Sequence, residues 1–167
     1  SYTHYRMNVK QNRSTLSFYM PLAFLVIWYL LWQLNLEWSR DLSVYKNPYL
    51  LAETQPFFDR FLSLNIYHDP SYYILQNIFA SFLPFDYFLG AVIFLCLFFK
   101  FYALTRINPK PGFLDVLPYI LILAFLHEGT QIRITLALTF ILWAIIFFIK
   151  GSRWYSVLLI LLGSTFH

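Results

Sequence analysis

The sequence predicts an all-α fold: a polytopic transmembrane helix bundle with about five spans and a short interfacial or re-entrant helix. Three observations predict it. Charged residues make up 12% of the 167-residue chain and hydrophobic residues 59%, where a soluble domain carries about 25% charged residues. That is too little charge to cover a globule with water-facing groups. Apolar stretches recur at lengths near the ~20 residues that a helix needs to cross a bilayer, and the mean hydropathy is +0.58. The net charge of +4 comes from short basic clusters between those stretches, which is topology information and not a nucleic-acid footprint.

The first span is predicted from Thr15 to Leu36, a run of about 21 residues without charge, or roughly 31 Å of helix. Trp28, Trp32 and Trp38 crowd its second half, as interfacial anchors do. Pro21 falls in its first turns, where a missing donor does least harm. A polar stretch follows, so residues 37–70 read as a large extracytoplasmic loop with Pro48 and Pro56 as breakers. Long ordered loops are usually functional. Within it, Phe57, Phe58, Phe61, Leu62 and Leu64 suggest a short helix lying at the interface.

Asp69-Pro70 is a good helix start, with the acid as N-cap and proline in the first position. The helix it opens, Ser71 to Leu83, is too short to span. The second span runs from Phe85 to Leu104, the third from Phe113 to Leu126, the fourth from Gln131 to Ile149, and a fifth starts near Trp154. Residues 1–167 read as one transmembrane domain. Starting at Ser1 and closing within an apolar run, the chain is expected to be part of a longer protein.

Charge placement tests this layout. With a cytoplasmic N-terminus, Arg6, Lys10, Arg13, Lys100, Arg106, Lys110, Lys150 and Arg153 share the cytoplasmic side, eight of the twelve Lys and Arg residues. Glu37, Asp41, Glu53, Asp59, Asp69 and Glu128, six of the eight acids, fall on the other side. That is the positive-inside pattern, and it requires that Ser71–Leu83 does not cross. The expected location is a membrane crossed several times from a cytoplasmic N-terminus.

The candidate chemistry therefore lies on the outer face. Arg133 sits about one turn inside the fourth span, where an arginine is costly unless paired or facing water. It either snorkels to the nearby surface beside Glu128 or forms an anion site, its planar fork gripping a phosphate or diphosphate. Ala137, one turn on along the same face, leaves room beside it. His127 and Glu128 end the third span; a glutamate against apolar walls can serve as general acid or base, although a solvated turn reads equally well. Gln131 and His167 fall on the same side. In the loop, Arg40, Asp41, Asp59, Arg60 and Asp69 stand among aromatic residues, a composition that suits sugar binding as well as plain solvation.

Several classes are excluded. The single cysteine, Cys96, permits no disulfide within the chain and no thiolate cluster. No metal-ligand spacing, glycine-rich phosphate loop, HExxH, nucleophile elbow or kinase signature occurs. Neither a metal nor another cofactor is expected.

Gln131 to His167 resembles the EpsG-like family of bacterial exopolysaccharide membrane proteins, which are grouped with Wzy-type polysaccharide polymerases. The matching residues are Arg133 and Ala137 in an apolar helix, the basic turn Lys150 to Arg153, and the closing Phe166-His167. Upstream, Asp59 before Phe61 and Asp69 before Tyr72 and Tyr73 are similar too. Ile134 stands where the family often has glutamine, and Asp69 where it often has glutamate. The resemblance implies polymerisation of lipid-linked oligosaccharide repeat units by glycosyl transfer at the outer membrane face, with undecaprenyl pyrophosphate as leaving group. Arg133 would steady the diphosphate charge and a carboxylate would deprotonate the acceptor hydroxyl. The partners implied are the undecaprenyl-pyrophosphate-linked oligosaccharide, the lipid bilayer, and other polysaccharide synthesis and export proteins. Two competing readings stand beside this one: a transporter or flippase of lipid-linked sugars, whose charges should line a path through the midplane, and a non-catalytic subunit of a synthesis complex.

Overall fold

The computed structural model describes residues 21–39, 41–62, 69–107 and 131–166. The described residues are helical with short connections. The helices are α1 (21–38), α2 (Leu42–Thr54), α3 (Phe57–Leu62), α4 (Pro70–Phe79), α5 (Phe85–Ile107), α6 (Ile132–Ile149) and α7 (Arg153–Ser164). Among them, α5 and α6 are long and apolar enough to cross a membrane. The expected third span, 113–126, lies outside the described residues. α7 is apolar but has 12 residues, which is short of a span.

α1 and α5 run antiparallel. Phe24 meets Phe101 with ring centroids 5.5 Å apart, while further along α1 Trp28 Nε1 donates to the Gly90 carbonyl at 2.8 Å and Trp32 Nε1 to that of Asp86 at 2.9 Å. The absence of a side chain at Gly90 admits the Trp32 indole, since a Cβ there would lie 2.8 Å from its ring. Trp28 and Trp32, expected as interfacial anchors, also tie α1 to α5. Each indole N–H, unpaired within an apolar helix, is satisfied by a neighbouring helix backbone. Trp38 is 72% exposed.

α5 also packs on α6, where Trp143 Nε1 donates to the Phe99 carbonyl at 3.1 Å and its ring lies against Tyr102. α6 and α7 form a tight hairpin. Gly151 turns it with a φ of 82°, a left-handed conformation that glycine adopts without steric cost. Near the other end, Gly163 packs on Ala137 and Phe140, where a Cβ would come within 3.2 Å of the Ala137 carbonyl. The small residue at 137 thus serves close helix packing, as small residues do in membrane bundles.

The predicted loop is more regular than expected. α2 continues through Pro48, which corrects its reading as a breaker. Proline removes one helix hydrogen bond, and Tyr45 and Tyr49, fully buried on either side of it, anchor the helix by packing. Pro56 does follow a helix end, with Gln55 extended at ψ 147°. A short helix, predicted around Phe57–Leu64 and expected at the interface, is observed as α3, with Phe58 80% exposed. α4 has 10 residues, about 15 Å of helix, so it does not cross a bilayer.

Candidate functional site

The site forms where α2, α4 and the start of α6 meet. Arg133, in the first turn of α6, pairs with the Asp69 carboxylate. Both are mostly buried, with side chains 23% and 11% exposed. The guanidinium also lies over the Tyr45 ring, 5.4 Å from its centroid, and hydrogen-bonds the Tyr45 hydroxyl. That hydroxyl reaches Asp41 Oδ2 at 3.4 Å. One arginine is thus held by a carboxylate and a phenol, and through the phenol is linked to a second carboxylate.

The local chain explains the geometry. Asp69 is in the N-cap position of α4 but makes no side-chain cap; its φ is 51°. A left-handed backbone is uncommon for non-glycine residues, and aspartate tolerates it better than most. The cap predicted from Asp69-Pro70 is therefore corrected. Proline does open the helix, while the carboxylate turns to Arg133, a stronger partner than a helix-end N–H. The start of α4 is further fixed to the end of α7. Ser71 N donates to the Thr165 carbonyl at 3.3 Å, and the hydroxyls of Ser71 and Thr165 lie 2.6 Å apart. Beside this link Phe166 is buried and stacks on Phe140, with centroids 5.3 Å apart.

Gln76 ties α4 to α2. Its Nε2 donates to the Tyr45 carbonyl at 2.7 Å and to the Tyr72 hydroxyl at 3.2 Å. Burial pushes the Tyr45 phenol above its ordinary value of 10.0, the Arg133 guanidinium pulls it down, and Asp41 raises it further. Burial also pushes Tyr72 well above that value. Both phenols are neutral at physiological pH, so Tyr45 can accept from Arg133 and donate to Asp41 at once.

Of the residues expected to carry chemistry, the structure joins Arg133, Asp69 and Asp41. Gln131 precedes α6, and its carbonyl accepts from Thr135 N at 3.1 Å. Asp59 is exposed on α3, apart from the cluster. Arg40, His127, Glu128, His167 and the side chain of Arg60 lie outside the described residues. Tyr45, Tyr72 and Gln76 were not singled out as site residues by the sequence. The signal available was the four-residue spacing of Asp41 with Tyr45 and of Tyr72 with Gln76, which places each pair on one helix face.

Apolar helices long enough to cross a membrane, bearing an arginine–carboxylate–phenol cluster at one end, define a helical membrane protein with a polar site beside its apolar bundle. The EpsG family model matches residues 17–167, and the chain belongs to that family. It is accordingly a membrane protein of exopolysaccharide biosynthesis. Comparison with curated proteins returns no match, and comparison with solved structures returns none either.

Proposed function

We propose that this chain polymerises lipid-linked oligosaccharide repeat units by glycosyl transfer at the outer face of the bacterial cytoplasmic membrane. In this reading five spans cross the bilayer from a cytoplasmic N-terminus, and the α2–α4 region lies outside. The observation that carries the proposal is Arg133. An apolar helix carries a permanently charged fork, and that fork is oriented by Asp69 and Tyr45 beside the bundle. A guanidinium so placed suits the diphosphate of a polyprenyl-linked donor, whose charge grows as the glycosidic bond breaks. Fixed dipoles and charges at a membrane surface stabilise that charge without reorganising.

Asp69 and Tyr45 are positioning residues here. Asp69 sets the plane of the guanidinium, and Tyr45 confines its other edge. Asp41, one hydrogen bond further out, is placed to accept the proton of the acceptor hydroxyl. The transport reading calls for charges along a path through the midplane; the Arg133 cluster instead gathers at one end of α6.

The test is polymer formation by Arg133→Ala, with membrane insertion checked by blotting of the membrane fraction. The proposal expects inserted protein and no polymer. Wild-type levels of polymer from inserted Arg133→Ala would overturn it.

A further inference from the structure

An apolar groove of about 450 Å³ lies between α4, α5, α6 and α7. Its α6 wall continues directly from the ionic cluster. Arg133, Leu136, Phe140 and Trp143 follow the three- and four-residue spacing of a single helix face. The run from Arg133 to Trp143 rises about 15 Å. The opposite wall is Ala91, Leu95 and Phe99 of α5. Leu95 and Phe99 are 47% and 43% exposed, so the groove opens sideways, away from the helix ends.

The walls present no unfilled polar group. The hydroxyl of Thr139 donates to the Thr135 carbonyl at 2.8 Å, and the Trp143 N–H is taken by Phe99. An apolar cavity of this kind favours a hydrocarbon occupant over water. Charge is confined to one end, where Arg133 stands.

We propose that the groove holds the hydrocarbon chain of a polyprenyl diphosphate whose head group is bound at Arg133. This deepens the glycosyl-transfer reading and rests on it. The pairing of a cation with an apolar channel one turn further along the same helix face is what an anionic head on a single long chain requires. The chain enters from the bilayer through the open side of the groove. Burying it there adds binding energy remote from the reacting bond, which can be used to place the diphosphate against the guanidinium.

The experiment uses membrane-embedded full-length protein and two donors with the same oligosaccharide diphosphate, one on a short and one on a long polyprenyl chain. Wild type is expected to prefer the long-chain donor in kcat/KM by roughly tenfold or more. Ala91→Trp and Leu95→Trp, which fill the groove from α5, are expected to reduce that preference to within about threefold. Retention of the full preference by both variants overturns the proposal. A second measurement does not depend on turnover. A radiolabelled polyprenyl diphosphate with a photoreactive chain is expected to crosslink to the 85–107 and 131–149 segments, and excess unlabelled polyprenyl diphosphate should compete it away. Crosslinking displaced as well by phosphatidylglycerol marks the groove as ordinary lipid contact and sinks the idea. If crosslinking is specific but neither donor is turned over, the glycosyl-transfer reading fails while the binding groove stands.

Discussion

The loop between α1 and α5 handles its acidic residues in two ways. Glu53 and Asp59 sit among aromatic residues and are exposed to solvent. Asp41 and Asp69, of the same chemistry and in similar sequence surroundings, are drawn inward and linked through Tyr45 and Arg133. Residue type does not separate the two pairs. Position relative to a single cation on a distant helix does. Arg133 is 64 residues from Asp69 along the chain, so the distinction arises only when α4 and α6 are brought together. A carboxylate next to a fixed guanidinium gains a charge-assisted hydrogen bond, whereas one on the exposed side of α3 keeps its water.

The contrast can be broken most forcefully at its centre. Arg133→Ala should lower polymer formation by roughly a hundredfold or more, the scale of losing a charge-stabilising donor. Arg133→Lys, which keeps the charge and loses the fork, should retain a small fraction of activity in the same assay. Asp69→Asn comes next. It leaves the guanidinium with a neutral partner, and a charged hydrogen bond contributes about 1.5–3 kcal/mol. Initial rates with purified donor should fall about ten- to a hundredfold. If Asp69→Asn were fully active, the inward pair would be packing only.

Tyr45→Phe removes the hydroxyl and keeps the ring over Arg133. Loss of one neutral hydrogen bond predicts a decrease of about two- to tenfold. The same variant carries an alkaline signature. The folded-state pKa of Tyr45 lies above its ordinary 10.0, so its contribution to stability is full below that value. It is lost as pH rises through the raised pKa, because the ionised phenol is disfavoured in the fold. Thermal melts of detergent-solubilised protein should therefore fall less steeply above about pH 10 in Tyr45→Phe than in wild type. The smallest effect sharpens the comparison from the other side. Asp59→Asn should leave polymer yield and melting temperature within error of wild type, as expected of an exposed charge. A large loss there would bring α3 into the site.

The helices were largely legible because each depends on its own residues. A run such as AVIFLCLFF in α5 has no lower-energy state in a bilayer than a helix with every backbone group bonded internally. The starts at Pro70 and Arg153 and the turn at Gly151 follow from local backbone preferences. α2 was the exception. Its Pro48 signals a break, and the helix persists because Tyr45 and Tyr49 are buried against α4 and α5, with Tyr49 also donating its hydroxyl to the Leu83 carbonyl at 2.6 Å. That compensation is spread over three segments and is invisible in any one of them. The tryptophans tell the same story. Their number beside a span was legible, but their acceptors, the carbonyls of Gly90 and Asp86, belong to another helix.

By itself, the sequence determined an all-helical membrane protein, the position of its apolar helices, and Arg133 as the residue whose burial demanded an explanation. Hydropathy and backbone preference act over a few turns, so they can be read along the chain. The tertiary structure alone decided that Asp69 is a partner of Arg133, that Tyr45 and Gln76 belong to the same cluster, and that an apolar groove continues from it. Those outcomes depend on distances between segments far apart in sequence. A charge in an apolar helix announces that it needs a partner, but only packing determines which residue comes close enough to be one.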